Sequence, residues 1–339
     1  MKRRVLILII LALSLLLFFL LDIISGSVTI KPAGILKIFL GEADANVETI
    51  VLKFRLPKAI TAVFVGIALS LSGLQMQTIF RNPMAGPYVL GISSGASLGV
   101  AIVILGFSSG IAPANLLALG NWILVISAWV GAGIVMVIIL FISARIKDIM
   151  TILIIGIMLA SALSAIVSIM QYFSSESMLK TYVIWTMGSL GNLSSGQLRV
   201  LVITVTGGMI LSVILTKMLN ALHLGESYAS SIGLNVKSAR IMIFACTSIL
   251  AGSVTAFCGP IGFIGIAIPH IARNIFKTSD HRIILPGTIL TGGSVMLISD
   301  IISQLPGSDS ILPVNSVTAL VGIPVVIWVI LSNKRSFAL

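Results

Sequence analysis

Charge is what this sequence has least of. Only 9% of its 339 residues are Asp, Glu, Lys or Arg, and 10 of them are acidic. A soluble chain carries about 25% charged residues to keep its surface hydrated, so a soluble enzyme or soluble binding module is excluded. Cysteine is nearly absent. Cys246 and Cys258 fall in or beside apolar runs without metal-ligand spacing, which argues against a zinc site or a disulfide framework. Histidine occurs as His223, His270 and His281, each at an end of an apolar run. That placement excludes a transmembrane proton relay or a metal site at the bilayer centre, and helix-end structural roles fit these residues. A Walker A pattern is missing, so the chain does not bind ATP through a P-loop. Neither a cofactor, a catalytic residue nor a metal-ligand set is expected.

What the sequence has is long apolar runs, 58% hydrophobic residues and a mean hydropathy of +1.17. A bilayer span takes about 20 apolar residues. The runs predict an all-α polytopic membrane protein, one membrane domain over residues 1–339, with about ten spans. These are Val5–Ile24, Ala59–Ile79, Val89–Leu105, Trp122–Phe141, Ile149–Met170, Leu198–Leu215, Ile241–Phe257, Ile261–Phe276, Ile284–Ile302 and Val314–Leu331. The first run follows MKRR and exceeds a signal-peptide core, so it is read as an uncleaved span.

The formal net charge of +11 does not indicate nucleic-acid binding, because the cations sit one to three at a time at the ends of apolar runs. That is a topology signal. With both termini cytoplasmic, Lys31, Lys37, Lys53, Arg55, Lys58, Lys180 and Arg199 fall outside and the other 14 of the 21 cations inside. Five outer cations crowd into the first outer loop, Gly26–Phe54, and the start of the next span, against the rule. The same loop is expected to hold a short interfacial helix, Pro32–Leu40, followed by Glu42, Asp44 and Glu48.

Several segments stand out from this background. Leu222–Val236 is polar, flanked by Lys217, Lys237 and Arg240, and helix-compatible between Gly225 and Gly233. Tyr228, Ala229 and Ile232 can share one of its faces. It reads as a docking handle for a soluble partner or as an ordinary connecting loop. The WTMGSL piece, Trp185–Leu190, is too short to span and fits a re-entrant or surface helix. GISSGASLG, Gly91–Gly99, carries small residues at near-helical spacing that allow close helix packing. Its Gly-x-Ser-x-Gly string is similar to a nucleophile loop, yet no histidine lies at its depth. Asp300 is the main charge inside a span, near its outer end, where it is either functional or a helix-end charge, and it stands alone. Ala85-Gly86-Pro87 and Cys258-Gly259-Pro260 open the third and eighth spans, which run in opposite directions and hint at an inverted repeat.

Read together, these strings resemble the FecCD/BtuC-type permeases of ABC importers. The resemblance is carried by RLPK (Arg55–Lys58), GIALSLSGLQMQTIFRNPMAGPYVLGISSGASLG (Gly66–Gly99), LGESYASSIG (Leu224–Gly233), GPIGFIGIAIPHIAR (Gly259–Arg273), SDHRIILPG (Ser279–Gly287) and LVGIPVVIW (Leu320–Trp328), in the family's order. It implies a ten-span, BtuC-like subunit of the cytoplasmic membrane that pairs with a second copy. Each copy would bind one soluble ATPase subunit inside, and one substrate-binding protein would cap the pair outside. It implies a coupling helix at Glu226, Ser227, Tyr228, Ala229, Ile232 and Gly233, and docking of the binding protein on Arg55 and Lys58. Lys58 stands where relatives have Arg, keeping charge but losing bidentate geometry. Gln304 stands where relatives often carry a further Arg. The route would run along the fifth and tenth spans with Trp185 and Met187, past an inner gate at Lys147, Asp148, Met150 and Thr151. The implied cargo is an iron–siderophore complex, haem, cobalamin or an oxyanion, iron complexes being the commonest. The competing reading, an ion-coupled secondary transporter, needs midplane carboxylates. An intramembrane enzyme would need a catalytic pair.

Overall fold

The computed structural model describes residues 2–26, 28, 30, 34, 38, 44–106, 122–146, 148–305 and 311–332. Lys147, Glu42 and most of the expected Pro32–Leu40 helix lie outside the described residues. The described residues form helices and no strand. Ten helices match the expected spans one for one: α1 (Lys2–Ile24), α2 (Ala45–Ile79), α3 (Ile92–Ile104), α4 (Trp122–Arg145), α5 (Ile149–Tyr172), α7 (Ser195–Ile214), α10 (Val236–Cys258), α11 (Ile264–Phe276), α12 (His281–Ser303) and α13 (Val314–Ser332). Seven of these are long and apolar enough to cross a membrane, and α3, α11 and α13 are shorter apolar helices. Between them come α6 (Glu176–Thr186), α8 (Thr216–His223) and α9 (Glu226–Ser231).

The second span starts earlier than its apolar run. Asp44 caps it by accepting from the Asn46 amide at 3.1 Å, so Glu48 is helical rather than in a loop. Ile50–Arg55 forms a π-turn in which the Leu56 amide donates to the Val51 carbonyl. Pro57 explains it. Proline has no N–H to give and its ring crowds the carbonyl four residues back, and a widened turn relieves both.

Helix α2 is the centre of the fold. Of its most apolar stretch 83% is buried, against 17% for α5. Lipid tails are as apolar as leucine, so helices in a bilayer associate through close van der Waals contact and shared hydrogen bonds. Glycine provides the first. A Cβ on Gly73 would stand 1.7 Å from the Gly265 carbonyl oxygen of α11, and one on Gly66 2.3 Å from the Gly292 oxygen of α12. Gln75 provides the second. Its amide nitrogen donates to Ser212 Oγ of α7 at 2.8 Å, and its oxygen accepts from Thr247 Oγ1 of α10 at 2.8 Å. The Gly91–Gly99 segment packs as its composition suggests: Cβ atoms on Gly95 and Gly99 would meet the Gly131 and Ser127 oxygens of α4 at 2.5 and 2.1 Å.

The two segments that hinted at an inverted repeat share local features. Helices α3 and α11 each have 13 residues, and each starts after a residue at positive φ, Gly91 at 79° and Phe263 at 65°. The chain before each is unwound, so both helices start three residues later than the apolar runs that contain them. The two unwound linkers, with Gly86 and Pro87 in one and Ile261 and Gly262 in the other, line a common cavity of about 290 Å³.

The close approaches predict a contrast between glycines. Gly73→Ala places its methyl group inside a backbone oxygen, and overpacking of this kind costs roughly 1–3 kcal/mol or more. Gly133→Ala, with nothing within 4 Å of the added atom, leaves stability unchanged. Melting temperature and folded yield in detergent check both; equal behaviour of the two variants would count against the described packing.

Candidate functional site

The polar segment after α8 is built as a short helix between two glycines at positive φ, Gly225 at 115° and Gly233 at 86°. Side chains disfavour these angles, which lets the chain turn out of α8 and back into α10. Glu226 anchors α9. Its carboxylate accepts from Arg240 Nε at 2.9 Å and Nη2 at 2.5 Å, a bidentate pair in which Arg240 is buried and Glu226 is one-third exposed. Ala229 faces inward and is fully buried. This corrects the expected face: Tyr228 and Ile232 are exposed and Ala229 is core, while Leu224, before Gly225, is exposed as well. Tyr228 and Ala229 are adjacent, and only packing on α8 and α10 decides which of two neighbours turns in. Ser227 and Gly233 are exposed as well.

Arg240 reaches further. Its Nη1 lies 3.5 Å from the Ile146 carbonyl, in the turn between α4 and α5. In that turn Asp148 caps α5, accepting from Thr151 Oγ1 at 2.6 Å, the Thr151 amide at 2.9 Å and the Met150 amide at 3.3 Å. The Thr151 hydroxyl and these amides hold the Asp148 carboxyl below its ordinary pKa. The expected gate residues Asp148, Met150 and Thr151 therefore form one capped helix start, tied to α9 through a single arginine. Sequence reasoning placed Arg240 as a topology charge and missed this link. Two of the histidines are held in the packing: His281 lies between Asn220 Oδ1 and Thr78 Oγ1, each at 2.8 Å, and His270 Nε2 lies 2.7 Å from the Pro83 carbonyl oxygen, while the His223 ring stands edge-on to that of His281.

At the outer end the structure turns both expected docking cations inward. Arg55 Nη1 donates to the Ile23 and Ile24 carbonyls at 3.0 and 2.7 Å, and Nη2 donates to the Val28 carbonyl. It closes the C-terminus of α1, where four carbonyls lack helical partners. Lys58 Nζ lies 3.0 Å from Asp300 Oδ1, with Lys58 19% exposed and Asp300 fully buried. Asp300 does not stand alone. Gln304 donates to Asp300 Oδ2 and to Asp22 Oδ1, each at 3.0 Å, and Asp22 is buried. Asp22 was not singled out from the sequence; its position as the one acid in the first apolar run was the available signal. Lys53, Lys180 and Arg199 are the exposed outer cations among the described residues.

Trp185 and Met187 close α6, and the chain beyond is stapled across the repeat. Ser189 N donates to the Cys258 carbonyl at 2.9 Å, Asn315 N to the Met187 carbonyl at 3.2 Å, and Gly262 N to Asn315 Oδ1 at 2.9 Å. The start of α13 is thereby joined to α6 and to the linker before α11.

Residues 14–332 match the model of the FecCD transport family. A vitamin B12 import system permease protein BtuC from Salmonella paratyphi A is 35% identical over 335 residues, covering 98% of this chain and 97% of the relative. The protein of that name from Escherichia coli O9:H4 is 36% identical over 289 residues, 85% of each chain. A solved structure described as an inward-facing conformation of a metal-chelate type ABC transporter aligns with a TM-score of 0.81 at 26% identity, covering 98% of this chain and 99% of that one. PsaBC from Streptococcus pneumoniae aligns with a TM-score of 0.53 at 16% identity, a likeness of fold alone. The chain belongs to the FecCD transport family, as a multi-pass permease component of an importer rather than an enzyme.

Proposed function

We propose that this chain is the membrane subunit of an ATP-driven importer in which the exposed side chains of Leu224, Tyr228 and Ile232 dock the ATPase and Arg240 carries its motion to the start of α5. The observation that carries the reading is the Glu226–Arg240–Ile146 link. A helix of six residues is too short to span, and these exposed apolar side chains need a cover on the cytoplasmic side. The same arginine that fixes this helix reaches the turn that starts α5. Displacing α9 then moves the turn, and alternating access follows as α5 tilts. Both termini are cytoplasmic in this arrangement, and the protein is a multi-pass component of the cytoplasmic membrane.

Helix α5 is mostly exposed in the single chain, with Ser161, Ser164 and Ser168 on its exposed surface. A second copy across a shared solute route would cover it, giving a homodimer with two ATPase subunits and one extracytoplasmic binding protein. For docking outside, Lys53 is assigned the contact with acidic residues of the binding protein, while Arg55 holds the end of α1 and Lys58 pairs with Asp300. The cargo is a bulky metal complex, cobalamin first because the relatives named above import it, and an iron chelate or haem next. The ion-coupled alternative lacks its sites among the described residues, since every described carboxylate lies at or beyond a helix end.

Tyr228→Arg and Ile232→Arg are expected to fold normally and to lose the ATPase on co-purification. Ala229→Arg instead lowers folded yield, because it puts an unpaired charge where the chain itself is packed. Retention of the ATPase by both exposed-site variants would overturn the docking face. Arg240→Lys keeps the charge and loses the fork; ATPase binding persists while uptake of labelled cobalamin or ferric siderophore falls about ten-fold or more, a loss of at least ~1.4 kcal/mol in coupling. Uptake at wild-type rate would remove Arg240 from the mechanism. Outside, Lys53→Glu weakens capture of the binding protein roughly two- to five-fold at low salt, the size of an exposed ion pair. Lys58→Glu instead lowers the melting temperature, since it sets a third carboxylate against Asp300 and Asp22.

A further inference from the structure

We propose that a hydroxyl-lined cavity between α3, α5 and α6 is a binding subsite for an uncharged hydrogen-bonding group of the transported solute, an amide or a hydroxyl; this deepens the importer reading and rests on it. The cavity measures about 220 Å³. Ser93, Ser94 and Ser97 enter it from the first turns of α3, Ser164 and Ser168 from α5, and Tyr182 from α6. Positions 93 and 97, and 164 and 168, are four apart, so each pair presents its side chains on one helical face. Val167 is the one aliphatic residue in the lining, and no charged side chain takes part. Ser168 and Ser164 lie about 6 and 12 Å from the outer end of α5 at 1.5 Å per residue, which puts the cavity in the outer half of the membrane.

Several unbonded hydroxyls meet in this one cavity, whereas the other serine hydroxyls without a partner, such as those of Ser70 and Ser143, are buried singly among packed helices. Ser161, Ser294 and Ser299 each donate to the carbonyl four residues back, at 3.0, 2.9 and 2.9 Å. The hydroxyls of Ser93, Ser94, Ser97 and Ser164 bond to no described residue, and Ser168 bonds only to the Ser164 carbonyl at 3.0 Å. Tyr182 is 3% exposed, and the acceptor its hydroxyl reaches is the Ser97 carbonyl at 3.5 Å, the far limit of a hydrogen bond. A buried phenol without a good partner is costly, and such groups mark a place where something else binds. Six hydroxyls, each able to donate and accept, complement a group that does both. They offer no formal charge to offset a carboxylate or an ammonium, so a charged group would be desolvated there without compensation.

The test places a reporter in the cavity of the full transporter in proteoliposomes. Cys246 and Cys258 are buried and give little background. Ser164→Cys is expected to react with a membrane-impermeant methanethiosulfonate from the outer side. Millimolar cyanocobalamin or ferrichrome, both rich in neutral amides, slows that reaction several-fold, and haem, with two carboxylates, does not. Adding Tyr182→Phe, or Ser93→Ala with Ser94→Ala, removes the protection and leaves the unprotected rate unchanged. An unreactive Ser164→Cys, equal protection by haem, no protection by either neutral complex, or protection that survives both sets of changes each overturns the subsite. ATPase co-purification from the same preparation is scored separately. Loss of that partner with protection intact counts against the importer reading and leaves the subsite standing.

Discussion

The contact of Gly73 with the Gly265 carbonyl is the constraint on which the rest depends. It brings α2 and α11 to backbone contact, and Gly66 does the same for α2 and α12. Once three helices are that close, their polar side chains must find each other, because the hydrocarbon around them offers no water. Gln75, Ser212 and Thr247 do so at the centre, and Gln77 accepts from Arg273 at 2.6 Å nearer the C-terminal end of α2. Peripheral helices are tied to this centre as well, α7 through Ser212 and α1 through the carbonyls that Arg55 holds.

At the end of the molecule where α9 lies, one buried cation joins two elements. Arg240 satisfies Glu226 with two nitrogens and approaches Ile146 with the third. A guanidinium does this where an ammonium does not, because its donors lie in a fixed plane and serve two elements at once. The pair is partly buried, so removing either partner leaves a charge with a desolvation cost behind. It ties α9 to the turn that starts α5.

The outer end follows a different logic. Five cations near the first outer loop run against the usual charge asymmetry of membrane proteins, and two of them turn out to be structural. Arg55 finishes α1, and Lys58 neutralises part of an acidic pair formed by Asp22 and Asp300 through Gln304. The crowding of charge is thus partly an internal requirement. Of the five, Lys53 is the one that is exposed among the described residues, and Lys58 keeps a small exposed fraction.

The sequence by itself determined the class, the number of apolar helices and most of their ends. Length and apolarity are local properties, and a bilayer reads them locally. It also determined that Leu222–Val236 is polar, short and bounded by glycines, and that Gly91–Gly99 packs closely. Only the tertiary structure decided which side of α9 is free, since Tyr228 and Ala229 are neighbours with similar claims on either face. It alone joined Asp22 to Asp300 across 278 positions of sequence, committed Arg55 to the end of α1, and gathered five serines and Tyr182 around one cavity. The physical reason is common to all of these. Apolar residues reveal themselves by their average, whereas a polar group in a membrane is defined by the partner that satisfies it, and that partner is named by the packing of helices far apart in the chain.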